Sequence, residues 1–295
     1  MKVQDASRPW QLPDGIDELL PEAAQAVETL RRNLLDCASH WGYQLVIPPM
    51  VEFTDSLLVG VGEDLDLLTF KVPDQVSGRM LGFRADITPQ VARMDAHSIG
   101  NPGPTRLCYA GTILHTRSDS LASTRSPLQL GAELYGASGT EADVEVIELM
   151  LSMMDSAGLA LDATLTLDLG HAENFRELVK SSGLGGSALE SDLFDALQRK
   201  SAPDLELLLG KLPAADQALF TRLLELRGDP SVLDEAGARF RGITPGLDAA
   251  LDQLYELATT LAERFPQLGI YVDLAELRGY RYHSGFVFGL FSQSL

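Results

Sequence analysis

The sequence predicts an α+β fold, an antiparallel sheet flanked by helices with a helical insertion, and three observations predict it. Residues 107–114 and 127–135 are apolar runs on either side of a loop of Arg, Ser, Asp and Thr without helical period, the pattern of a long antiparallel hairpin with a polar tip. Shorter runs at 67–72 and 79–84 flank a turn at Pro73-Asp74-Gln75-Val76-Ser77-Gly78, a second hairpin. From about His171 to Ile243 the strand signals stop and Leu-rich helical pieces follow one another, separated by Gly, Ser and Pro clusters. The expected organisation is a discontinuous main domain, residues 1–170 and 244–295, with a helical insertion at 171–243.

The elements follow in order. After the turn Leu12-Pro13-Asp14-Gly15, a helix starts near Pro21-Glu22, where Pro suits the first turn and Glu the positive end of the dipole. Ala26, Val27, Leu30, Leu34, Cys37, Ala38 and Trp41 keep helical spacing, and Gly42 ends it. Residues 44–50 read as a strand interrupted at Pro48-Pro49; prolines belong at strand ends or on an edge, where a subunit contact is possible. Thr88-Pro89 supplies an N-cap and first-turn proline for a helix to about Ser98. Thr140-Glu141-Ala142-Asp143 resembles a capping box and opens a helix to about Ser156, with a strand at 163–169. A long helix at 247–264 leads back to strands at 269–275 and 281–291.

Composition bounds the function. With 295 residues and 45% hydrophobic content, the chain can bury one large core or two ordinary ones. A formal net charge of −19 opposes long-range attraction to nucleic acid or an anionic membrane, so neither is an expected partner. Cys37 and Cys108 lie in a helical and a strand pattern and read as buried small residues, which fits a reducing cytoplasm. The start MKVQDASRPWQLPDG has no apolar targeting core, and no run is long and apolar enough to cross a bilayer. Neither a metal nor a cofactor is expected.

Chemistry concentrates in three places. Asp86 sits in the short crossing from strand end to helix start, a position for a pocket residue or an electrostatic cap. Gln129 and Glu133 lie in the second strand of the long hairpin. The stretch ELRGYRYHSG places Arg278, Tyr282 and His283 beside Gly279 and Gly285, which suits backbone approaching a ligand. Two carboxylates near one site also suit an acid/base pair, but no positioned leaving group accompanies them.

This order of elements and motifs resembles the catalytic domain of histidyl-tRNA synthetases, a class II aminoacyl-tRNA synthetase fold, over essentially the whole chain. The family's RPEGT turn matches Arg84-Ala85-Asp86-Ile87-Thr88, and its QLGxE strand matches Gln129 to Glu133. Its RGLDYY stretch falls on Arg278-Gly279-Tyr280-Arg281-Tyr282-His283, retaining Arg278 and Tyr282. The resemblance implies a histidine site made of Asp86, Thr88, Gln129, Glu133, Arg278, Tyr282 and His283. One departure decides the chemistry: the family's FRxE pattern, whose Arg clamps the ATP α-phosphate, is Ile113-Leu114-His115-Thr116 here. Losing that cation costs on the order of 3 kcal/mol or more of transition-state stabilisation, so Leu114 marks a lost nucleotide clamp. Arg125 matches a second loop arginine and cannot replace it. The glycine-rich final motif and the anticodon-binding domain are not found before Leu295, and the apolar strand at the end points to a truncation or a covering partner.

A synthetase fold that keeps the amino-acid pocket and loses the nucleotide clamp resembles the regulatory subunits of ATP phosphoribosyltransferase. Their RADxTPQVAR and RGYxYHxG signatures are matched at 84–93 and 278–285. The resemblance implies a non-catalytic subunit of the first step of histidine biosynthesis, dimeric within a hetero-octamer, that activates the short catalytic subunit and confers inhibition by L-histidine. An active histidyl-tRNA synthetase and a scaffold with a vestigial pocket are the alternatives.

Overall fold

A computed structural model describes residues 10–60, 62–118, 124–162, 164–280 and 284–292. The chain divides into two compact units, Met1–Ala137 with Glu148–Gly158 and Ser138–Ile147 with Leu159–Leu295.

In the first unit, α1 (Pro21–His40) begins at its proline and stops where Gly42 turns left-handed at φ +84°. β1 (Gln44–Leu45) is shorter than the expected strand, because Pro48 and Pro49 end the pairing. β2 (Val51–Phe53), α2 (Thr54–Leu57), α3 (Glu63–Leu68), β3 (Lys71–Pro73) and β4 (Met80–Phe83) follow. Leu67 and Leu68 therefore close a helix instead of opening a strand; Thr69 donates its hydroxyl to the Leu65 carbonyl at that helix end, at 2.7 Å. α4 (Thr88–Met94) runs into a π-helical turn at Asp95–Ile99 that ends on left-handed Gly100. Thr88 is the first helical residue and not the cap: the Asp86 carboxylate accepts the Thr88 N–H at 3.0 Å.

The expected long hairpin is β5 (Thr105–Thr112) and β6 (Leu128–Tyr135), antiparallel with Tyr109 opposite Gly131, and β1 joins β5 in parallel. Strand alternation gives this sheet two apolar faces. Cys108 packs with Ala38, Tyr43, Leu149 and Met153; Leu107 and Tyr109 pack with Ile87, Val91 and Ile113. Leu149 and Met153 belong to α5 (Thr140–Ser156). β2, β4 and β3 form a separate antiparallel sheet.

The second unit contains β7 (Leu165–His171), α6 (Ala172–Ser181), α7 (Ala188–Gln198), α8 (Ala202–Leu209), α9 (Ala214–Glu225), β8 (Arg227–Gly228), α10 (Val232–Phe240), α11 (Pro245–Arg264), β9 (Gly269–Asp273) and β10 (Phe286–Ser292). Its sheet has the order β10-β7-β9-β8, with β7 and β9 parallel. The Leu-rich stretch is helical as expected except for β8, whose two residues pair with the end of β9. A two-residue strand carries too little alternation to be seen in sequence. Leu247, Leu251, Leu254, Ala258 and Leu261 line the buried side of α11 at helical spacing. β10 is an edge strand paired along its whole length with β7.

His171 caps α6. Its Nδ1 accepts the Glu173 N–H at 3.2 Å and its Nε2 donates to Gln253 Oε1 at 3.0 Å, which fixes a neutral imidazole. Burial pushes its pKa below the usual value, against the opposing Gln253 contact. A folded-state pKa below the unfolded one means that the unfolded chain binds the extra proton. The stabilisation is therefore complete above about pH 6.5 and is lost as pH falls below it. Asp168 has the opposite sign: burial, then the nearby Glu276 and Asp273 charges, raise its carboxyl to about 6, so its contribution is lost as pH rises through that value. Replacing His171 by Asn, which keeps a capping oxygen, is expected to flatten the fall in Tm between pH 7 and pH 5; melting curves of both proteins across that window check it, and parallel curves contradict it.

Candidate functional site

The period of two in β6 places Gln129, Gly131, Glu133 and Tyr135 on one face. Across from them the link from β4 to α4 brings Asp86, Ile87 and Thr88. Gln129 ties the two together: its Nε2 donates to Asp86 Oδ1 at 2.7 Å and its Oε1 accepts the Ile87 N–H at 2.9 Å. Its amide thus orients Asp86. The Tyr109 hydroxyl donates to Glu133 Oε1 at 3.2 Å and lies 2.9 Å from Thr88 Oγ1. Burial, reinforced by the Asp86 charge, raises the Glu133 pKa, while the hydroxyls of Thr88 and Tyr109 pull it down. Asp86, Thr88, Gln129 and Glu133, expected to share a site, are brought together.

A buried cation lies alongside. Arg84 donates through Nε to the Thr112 carbonyl and through Nη1 to the Pro48 carbonyl, both at 2.9 Å, and burial lowers its pKa. Gly111 makes room for it, since a Cβ there would meet Arg84 Nη2 at 2.3 Å. Gln90 Nε2 donates to the Pro49 carbonyl at 2.8 Å, so both prolines at the strand end anchor the segment that carries Asp86 and Thr88.

The position expected from the resemblance to have lost a nucleotide clamp holds an apolar side chain: Leu114 is half-buried, and its N–H donates to the Arg84 carbonyl at 3.0 Å. Arg125 is occupied in local structure, donating to the carbonyls of His115 at 3.0 Å and Asp14 at 3.2 Å, with its guanidinium over the Phe70 ring. His115 Nε2 bonds the Ala85 carbonyl at 2.9 Å and braces the same segment. Arg278 lies in the second unit, paired with Glu276 at 2.9 Å and Asp168 at 3.6 Å. Tyr282 and His283 lie outside the described residues.

Sequence reasoning missed Tyr109. The signal for it was a glycine two positions before Glu133 on the same strand face, which leaves room for a ring from the neighbouring strand. The cluster as a whole is rich in acceptors and suits a protonated amine or imidazole. Among the described residues no group of three or more His, Cys, Asp or Glu is arranged to hold a metal.

Residues 15–295 match the family model described as histidyl-tRNA synthetase. The chain is 50% identical over 282 residues to an ATP phosphoribosyltransferase regulatory subunit of Pseudomonas aeruginosa, covering 96% of this chain and 71% of that protein. Among solved structures it is similar, with TM-score 0.84 and 26% identity, to an ATP phosphoribosyltransferase regulatory subunit/histidyl-tRNA synthetase from Bacillus halodurans, over 97% of this chain and 73% of that one. It shares the fold of a chain from the ATP phosphoribosyl transferase (HisG:HisZ) complex of Thermotoga maritima, with TM-score 0.64 and 18% identity over 94% of this chain and 89% of that one.

Proposed function

We infer the function of this chain from the family to which it belongs, the ATP phosphoribosyltransferase regulatory subunits with their histidyl-tRNA synthetase-like fold. It is a non-catalytic regulatory subunit of ATP phosphoribosyltransferase, and its partner is the catalytic subunit of that enzyme, in histidine biosynthesis. The observation that carries this reading is the acceptor-rich cluster of Asp86, Thr88, Gln129 and Glu133, with Leu114 at the position where the family resemblance places a nucleotide-clamping Arg.

The finer reading is that L-histidine is the effector. Asp86 and Glu133 attract its ammonium or imidazole, Thr88 and Gln129 hold that geometry, and the family resemblance adds Arg278, Tyr282 and His283 as further ligand residues. Histidine inhibits only by binding one arrangement of the complex better than another, and a tenfold preference corresponds to about 1.4 kcal/mol. The subunit pairs with a second copy inside a hetero-octamer with the short catalytic chain; the open side of β1, with Leu45 52% and Ile47 81% exposed, supports a subunit contact there. It works in the cytoplasm; among the described residues no helix is long and apolar enough to cross a membrane. Histidine-dependent ATP–pyrophosphate exchange is expected to be absent, and exchange at a synthetase-like rate would contradict the reading.

A further inference from the structure

We propose that Tyr109 is the positioning residue that makes this pocket prefer a cationic group: its hydroxyl, seated against β6 where Gly131 has no side chain, presents Glu133 as a fixed acceptor to the ligand. The inference rests on the reading that Glu133 meets the ammonium or imidazole of histidine.

The geometry is specific. Tyr109 is 3% exposed, and a Cβ on Gly131, directly across the ladder, would stand 2.3 Å from its hydroxyl oxygen. Only glycine at that position lets the phenol cross beneath β6 and reach Glu133 Oε1 at 3.2 Å, while Thr88 Oγ1 lies 2.9 Å away on the other side. The phenol is a permanent donor. Burial first, and then the Glu133 and Asp86 charges, push its pKa far above the ordinary tyrosine value. A donor that stays protonated keeps Glu133 Oε1 hydrogen-bonded as a carboxylate.

The surrounding charges make that donor consequential. Asp86, on the link ahead of α4, repels a charge on Glu133, and burial does so more strongly. On β6 itself, Tyr135 feels both Glu133 and Asp95 of the π-helical turn, and its own pKa is raised, chiefly by burial. Against these, the hydroxyls of Thr88 and Tyr109 are the groups that favour the ionised form. Without the phenol proton, Glu133 takes up a solvent proton more readily and stops attracting a cation.

Tyr109→Phe tests this with little change of shape, and calorimetric titration with L-histidine between pH 5.5 and 8 reads it out. Comparing variant and wild type with one ligand cancels the titration of the ligand's own imidazole. The expected result is an affinity loss of about tenfold or more at pH 6 that shrinks towards pH 8, an acid limb displaced upward by about one unit. An equal loss at every pH, or none, overturns the proposal. Glu133→Gln separates the two levels: if it leaves histidine affinity unchanged, the pocket assignment fails and the proposal with it. If it weakens binding while the acid limb of Tyr109→Phe coincides with that of the wild type, the role of Tyr109 alone is refuted.

Discussion

Replacing Asp86 by Asn and Glu133 by Gln together is expected to weaken L-histidine binding by about two to four orders of magnitude and to leave association with the catalytic subunit intact. Hydrogen bonds to charged groups contribute about 1.5–3 kcal/mol each, and two of them correspond to roughly 3–6 kcal/mol. Both changes keep side-chain volume. They also keep much of the internal network, since an Asn oxygen still accepts the Thr88 N–H and a Gln oxygen still accepts the Tyr109 hydroxyl. What disappears is the negative charge that a protonated amine requires. Titration calorimetry measures the affinity and co-elution on a sizing column measures assembly. Unchanged affinity would remove these residues from the site, and lost assembly would give them a structural role instead.

Phe175→Ala is expected to destabilise the second unit by about 3–5 kcal/mol, the cost of emptying a large, fully buried aromatic site. Phe175 on α6 meets the Phe220 ring of α9 edge-on at 6.1 Å and the Tyr280 ring at 5.0 Å. Tyr280 is in turn stacked on Phe194 at 5.4 Å, and its hydroxyl donates to Glu190 Oε1 at 3.0 Å. The RGY segment that carries Arg278 is therefore anchored in the helices between β7 and β9. Denaturant unfolding followed by circular dichroism measures the loss, and a change below about 1 kcal/mol would mean that the site collapses around the deletion. The same contacts give the Leu-rich stretch its function in the fold: it is a platform for the segment after β9.

The long hairpin was legible because both of its strands are mostly apolar with no helical period, and the strand alternation places Gln129 and Glu133 on one face. Helix α1 was legible for a similar reason, a proline at its start, a glycine after its end and seven apolar positions at helical spacing between them. The failures have physical causes. Leu67 and Leu68 are apolar residues before a strand, and only the acidic, glycine-preceded segment ahead of them makes them the end of a helix. β8 exists because the end of β9 offers it a partner, a tertiary circumstance that a two-residue segment cannot advertise. Thr88 has the composition of a cap, yet its hydroxyl is drawn to Tyr109 and the capping passes to Asp86.

The site shows the same division. Asp86, Gln129 and Glu133, which the structure brings together, were legible as candidates because polar residues in a mostly apolar strand and at a strand-to-helix crossing stand out. Tyr109 did not stand out, since a tyrosine in a strand is ordinary until Gly131 is seen opposite it. Arg125 was expected to remain as a loop cation, but the carbonyls of Asp14 and His115 claim its guanidinium, a contact 111 residues apart in sequence for Asp14 that no local pattern contains. What the sequence of the clamp region said directly was Leu114 at the position where the resembling family carries an Arg, and the proposal that the site senses without activating rests on that one residue.

On the proposed function, this subunit confers histidine sensitivity on a catalytic partner and performs no adenylation itself. The measurement that meets this proposal most directly is the phosphoribosyltransferase rate of the short catalytic subunit, with and without this chain, across a histidine titration. Expected are a higher rate when the chain is added, inhibition by histidine that depends on the chain, and a complex carrying Asp86→Asn with Glu133→Gln that stays active and no longer responds. A catalytic subunit equally fast and equally inhibited without this chain would contradict it.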